Sequence, residues 1–256
     1  MVRKYWRSIG IVLLLAGITV VFARPMMRTW VDQGFRHEVD DLPDAYANFY
    51  KDVSIYRDGA YVMIRTDAVP DHHSPYFSKF DHRHEPYNGD NPHFHKNPHY
   101  IEAHYLNFRI PIHPTPAKKK RPTPLGPIGV ALNGVPIFNQ YARGHHKLTS
   151  HEVNSFDQYN GHPQEHNLYH YHIEPIHLTT KHGKSSLIGF LIDGYPIYGP
   201  EEEGKIITNK DLDEYHGHSH PTPEYPEGIY HYHVTEEAPY VNGIGFFGEM
   251  GKVSHH

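Results

Sequence analysis

Tyr169-His170-Tyr171-His172 returns 61 residues later as Tyr230-His231-Tyr232-His233. A strand points successive side chains to opposite faces, so each copy sets two tyrosines on one face and two imidazoles on the other. Just upstream of each lies a second matched pair, Asp157-Gln158-Tyr159-Asn160-Gly161-His162 and Asp213-Glu214-Tyr215-His216-Gly217-His218. Upstream again is a third, Ile128 to Phe138 and Ile188 to Tyr198, each an apolar run, an Asn-Gly or Asp-Gly turn and a second apolar run. Those dipeptides supply the positive φ of a tight two-residue hairpin. Three motifs recur in one order at spacings of 60, 56 and 61 residues. The expected fold is therefore all-β or β-dominated, with two internally duplicated half-units, about 128–177 and 188–236, packed about a pseudo-twofold axis.

Other segments fit around this pair. Asp52 to Thr66 alternates around Arg57-Asp58-Gly59 and predicts a hairpin, and Tyr105 to Ile112 alternates Leu106, Phe108 and Ile110 with polar residues as a further strand. Pro70 to Pro98 is a long loop rich in histidine and proline, and Pro114 to Pro127 is a proline-rich linker. No element is predicted for Trp30 to Tyr50; residues 24–50 are a linker and 51–250 one domain. Residues 1–23 carry Arg3, Lys4 and Arg7 ahead of the apolar run Ile9 to Ala23, the form of a signal peptide or, if uncleaved, a single-pass anchor. The expected location is periplasmic or secreted, with membrane contact only through that segment.

Composition narrows the chemistry. The chain has 256 residues, 26 histidines, no cysteine and a formal charge of −5. Lack of cysteine excludes disulfides, thiolate metal sites and thiol catalysis. Mild acidity, with one short basic run at Lys118 to Arg121, gives no nucleic-acid footprint. Phosphate-loop, dinucleotide-binding, Gly-x-Ser-x-Gly and His-Glu-x-x-His motifs do not occur. Imidazole remains as the abundant ligand, suited to Zn or Cu.

The long motifs resemble the YHYH domain family of exported bacterial proteins. The likeness runs from about Gly59 to Phe247 and includes Pro70-Asp71-His72, Leu125 to Pro136 and Ala238-Pro239-Tyr240-Val241. Relatives look to carry cysteines near the second motif and near the C-terminal glycine-rich tail, regions where Tyr215 and Phe246 lie here, so a disulfide general to the family would be missing from this chain. The resemblance implies export and names no reaction.

Each half offers a histidine after a glycine and two on a strand: His162, His170 and His172, then His218, His231 and His233. Three imidazoles leave one coordination position for water or substrate. Asp157 and Asp213 are candidate acceptors behind those imidazoles or, if the histidines are structural, caps of turns. His72, His93 and His95 could add ligands from the loop, and Glu174 and Glu236, which follow the YHYH strands, are candidate general bases. Three functions fit: an exported Cu- or Zn-binding protein in metal handling; a metal-dependent hydrolase or copper oxidoreductase; or a non-catalytic surface module whose histidines are structural.

Overall fold

The computed structural model describes residues 36–50 and 52–255. It is β-dominated, as its alternating and apolar runs require. In order, the strands are β1 (Ser54–Asp58), β2 (Tyr61–Thr66), β3 (Leu106–Pro111), β4 (Pro127–Ala131), β5 (Pro136–Phe138), β6 (Tyr141–Ala142) and β7 (His146–Lys147). Then come β8 (Gly161–Pro163), β9 (Tyr169–Tyr171), β10 (Leu187–Leu191), β11 (Pro196–Tyr198), β12 (Glu201–Glu202) and β13 (Lys205–Ile206). The last are β14 (Gly217–Thr222), β15 (Tyr225–His233) and β16 (Lys252–His255). Two short helices, α1 (Ser150–Val153) and α2 (Ile176–His182), lie between strands. Asp44–Asn48, where no element was expected, forms a 3-10 turn. The signal or anchor segment falls outside the described residues, and no helix among the described residues is long and apolar enough to cross a membrane.

The smaller sheet, β1-β2-β3-β16, is antiparallel throughout. Its period-two pattern puts Val62 and Ile64 opposite Ile110 and Phe108, and all four are buried. The larger sheet has the order β14-β15-β11-β10-β4-β5-β9-β8. Its middle strands β4 and β10 are covered on both faces, which explains why they read as continuous apolar runs rather than alternating ones. Tyr46 from the 3-10 turn stacks on Phe190 of β10 with ring centroids 4.2 Å apart, so the chain before β1 closes one face of the sheet's centre.

Strand order in the large sheet reads alike from both edges. At the seam Val130 pairs with Phe190, each the residue 60 positions from the other. On either side a hairpin partner (β5, β11) pairs antiparallel with its seam strand and parallel with a YHYH strand (β9, β15). The outermost strands, β8 and β14, begin at the glycine before the isolated histidine.

One expectation is corrected. The Asn-Gly and Asp-Gly hairpins have three-residue loops, not two. Ala131 N–H donates to Val135 O (2.9 Å) and Gly134 N–H to Ala131 O (2.8 Å), and Leu191, Gly194 and Tyr195 repeat the pattern. Only the glycine has positive φ, at 80° and 89°, so the loop is a turn followed by a left-handed residue. The first loop's tip meets the small sheet, where Thr66 Oγ1 donates to Gly134 O at 2.9 Å.

Backbones approach closely at the seam. A Cβ added at Gly189 would lie 2.1 Å from Val130 O and 2.7 Å from Ala131 Cα. Gly189→Ala is expected to lower the unfolding free energy by about 1–3 kcal/mol through overpacking, read as a lower urea midpoint with an unchanged m-value.

Candidate metal centres

The sequence dictates how each isolated histidine is delivered. Asp157 Oδ1 accepts from the N–H groups of Tyr159 (2.9 Å) and Gly161 (3.3 Å), and Asn160, in the left-handed region, turns the chain into β8. Asp213 does the same with Tyr215 (2.9 Å) and Gly217 (3.2 Å), His216 taking the left-handed place. The glycine is required because a tyrosine packs over it: a Cβ at Gly161 would sit 2.3 Å from the Tyr169 ring. Register then sets His162 opposite His170, and His218 opposite His231.

On the histidine face, three imidazoles converge in each half. In the first, His170 Nε2 lies 3.2 Å from His162 Nε2 and 2.9 Å from His172 Nε2. All three residues are buried, with Phe138 stacked on His170 at 4.0 Å and Phe156 edge-on to His162 at 4.8 Å. In the second, His218 Nε2 lies 3.1 Å from His231 Nε2 and 3.3 Å from His233 Nε2. Imidazole nitrogens bound to one tetrahedral Zn at 2.0–2.1 Å stand about 3.3 Å apart, close to these separations.

The hydrogen bonds behind the rings fix their tautomers. His170 Nδ1–H donates to Leu168 O and His172 Nδ1–H to Asn139 O. Their counterparts His231 and His233 donate to Ile229 O (3.0 Å) and Gly199 O (2.7 Å). A carbonyl only accepts, so the proton sits on Nδ1 and the Nε2 lone pair faces inward. His162 is fixed by proton counting. Ser155 Oγ spends its one proton on Glu152 O (2.7 Å), so it accepts from His162 Nδ1–H at 2.7 Å. Three Nε2 lone pairs of the first cluster therefore point at one another.

The fourth donor distinguishes the clusters. Glu202 on β12 places Oε1 3.3 Å from His231 Nε2 and 3.8 Å from His233 Nε2, and Oε2 3.4 Å from His218 Nε2. His220 Nδ1 also lies 3.3 Å from Glu202 Oε1. Among the described residues no carboxylate joins the first trio within 4.8 Å. That trio instead lines a cavity of about 450 Å³, together with Leu125, Tyr141, Ala142, Leu148 and Gln164.

Other expected roles are corrected. Of the two roles expected for Asp157 and Asp213, the turn cap is seen and the bond to a trio imidazole is not. Both carboxylates serve the opposite face, where Tyr169 and Tyr230 hydroxyls donate to them at 2.9 Å, because alternation sends the tyrosines away from the histidines. His72 sits on that face too, its Nε2 accepting from Tyr171 Oη at 3.0 Å while Nδ1–H donates to His73 O. His95 stacks on His151 at 4.4 Å, His93 is exposed, and neither joins a trio. Glu174 binds Lys184 and Thr179, which ties the end of β9 to α2, and Glu236 is exposed; neither reaches a trio. Glu202 was missed, although it lies in the acidic run Glu201-Glu202-Glu203 directly after the second hairpin, where the first half has Tyr141-Ala142-Arg143.

The fold and site together define a β-sheet protein with two histidine clusters, one buried and one partly buried, each of which could hold a metal ion. The family whose description reads YHYH protein matches residues 107–206 and 201–245, more than half of the chain. The chain belongs to that family. No curated protein and no solved structure matches it.

Burial sets the proton balance. It pushes His162 and His170 well below the ordinary imidazole value, His172, His216 and His233 down to about 4 and His72 to about 3, and it also lowers His231. It raises Asp157 and Asp193 to about 6. Between the unfolded imidazole value near 6.5 and about 4, the unfolded chain binds more histidine protons, so stability falls as pH falls. The two carboxyls act oppositely between about 6 and 3.8, but seven imidazoles outweigh them. Chelator-treated protein is therefore expected to show a urea midpoint that drops steadily from pH 7 to pH 4.

Proposed function

We propose that this chain is an extracytoplasmic metal-binding protein, holding Zn or Cu at His162, His170 and His172 and at Glu202, His218, His231 and His233, with a role in metal handling. One observation carries the reading: in the first cluster every Nδ1–H is committed to an oxygen, leaving three buried Nε2 lone pairs aimed at a common point. Nothing in a protein satisfies three convergent neutral imidazole nitrogens as well as a cation does. A shared proton would require a buried imidazolium beside a Phe138–Phe156 wall, with no carboxylate among the described residues joining the trio within 4.8 Å to balance it. In the second cluster Glu202 could balance either an imidazolium or a metal, so that cluster alone would not decide. The placement outside the cytoplasm rests on the basic and apolar pattern of Met1 to Ala23.

A metal-dependent enzyme is the second reading. The cavity at the first trio favours it, since catalytic metal sites keep a position for water or substrate.

Purified full-length protein, reconstituted with excess Zn or Cu and desalted, is expected to retain two ions per chain by elemental analysis. His170→Ala/His172→Ala should lose one and His231→Ala/His233→Ala the other. Failure of the wild type to retain any metal would refute the proposal.

Ser155→Ala removes the acceptor behind His162 while sparing every ligand. It is expected to weaken metal affinity at the first centre by about 10- to 100-fold, measured by competition with a chromophoric chelator.

A further inference from the structure

The centres differ at one corresponding place. Each hairpin runs on into a two-residue strand, β6 in the first half and β12 in the second, and the second residue of each is Ala142 or Glu202. Glu202 closes its cluster with a carboxylate within 3.8 Å of all three imidazoles. Ala142 has only a methyl group and lines the cavity instead. Resting on the metal-binding reading above, we infer that the two centres have different tasks. The Glu202 centre is closed by protein donors, whereas the centre at His162, His170 and His172 takes its fourth ligand from solution, and that ligand is a small anion.

Charge selects the class of ligand. A divalent ion held by three neutral imidazoles keeps its full charge of two. Where all three ligands are buried, an unbalanced dication is expensive and an anionic donor offsets part of the cost. In the second centre Glu202 supplies that donor from within. In the first, Glu152 and Glu165 line the cavity, yet neither carboxylate joins the trio within 4.8 Å. The cavity, at about 450 Å³, has room for far more than one water molecule, and Leu125, Phe138, Leu148 and Pro163 give it apolar walls. An anion with a small apolar body, such as a short carboxylate, fits both the charge and the lining.

Co(II) reports coordination through its visible spectrum, and azide serves as the probe anion. The full chain is loaded with Co(II) as two variants: His231→Ala/His233→Ala, which keeps only the first centre, and His170→Ala/His172→Ala, which keeps only the second. Elemental analysis counts the metal in each sample before titration. Azide is expected to change the first-centre spectrum saturably and leave the second unchanged. Adding Ala142→Glu should abolish the first-centre response, and adding Glu202→Ala should confer one on the second. If Ala142→Glu fails to fold or to hold Co(II), the Glu202→Ala result decides. A first centre that binds no Co(II) overturns both the metal reading and this inference. Metal bound at both centres, with azide acting equally on each, on neither, or only on the second, overturns this inference alone.

Discussion

Burying a Tyr-His-Tyr-His strand is feasible only if every polar tip on both faces finds a partner, and the rest of the fold is arranged around that demand. An unpartnered buried hydroxyl or ring nitrogen costs about 1–3 kcal/mol, a large share of a domain's net stability. On the tyrosine face, side-chain acceptors answer the requirement, all buried except Asp213. Asp157 takes Tyr169, His72 takes Tyr171, Asp213 takes Tyr230, and Asp193 takes Tyr232 at 2.6 Å. On the histidine face the acceptors of β9 and β15 are backbone carbonyls, which cannot donate in return. The tyrosine face therefore closes on itself, whereas the histidine face is left with inward lone pairs.

The carbonyls are supplied by the hairpins, which links the fold to the site. Parallel pairing of β5 with β9, and of β11 with β15, brings the residue just after each short hairpin strand alongside the last histidine of the motif. Asn139 and Gly199 are those residues. The three-residue loops, each with a left-handed glycine at 134 or 194, set where β5 and β11 begin. In each half the Asx turn at Asp157 or Asp213 has a double task, since the same carboxylate launches the outer strand and accepts the tyrosine that covers its glycine.

Much of this was legible in the sequence because it depends on local period and turn chemistry. Alternation around Gly59 marks the β1–β2 hairpin, and Leu106, Phe108 and Ile110 mark β3. The spacing of His162, His170 and His172 marks one trio, and its echo at His218, His231 and His233 marks the other. What stayed hidden depends on pairing between distant segments. Nothing local announces that Asn139 contributes its carbonyl rather than its amide, or that Ser155 is spent on Glu152 and so must accept from His162. Asp157 misled because its position beside the histidine suggests contact, whereas alternation of the paired strand puts the tyrosine over it. Glu202 belongs to an acidic run that resembles a solvated turn. Only the alignment of the two halves, with Ala142 at the matching place, marks it as a difference in the site.

The convergence of lone pairs weighs against a purely structural role for the histidines. Structural imidazoles in a core use one nitrogen as donor and the other as acceptor, so that each ring is satisfied by neighbours. In the first trio the donor side of every ring is satisfied and the acceptor side of none is, because the rings present only acceptors to one another. A single water placed among the converging nitrogens has two protons and can serve only two of the three at once. Apolar residues of similar volume would fill the space between Phe138 and Phe156 without leaving any acceptor unmet. Three imidazoles, each held from behind so that its lone pair points inward, make physical sense chiefly when something electron-poor stands between them.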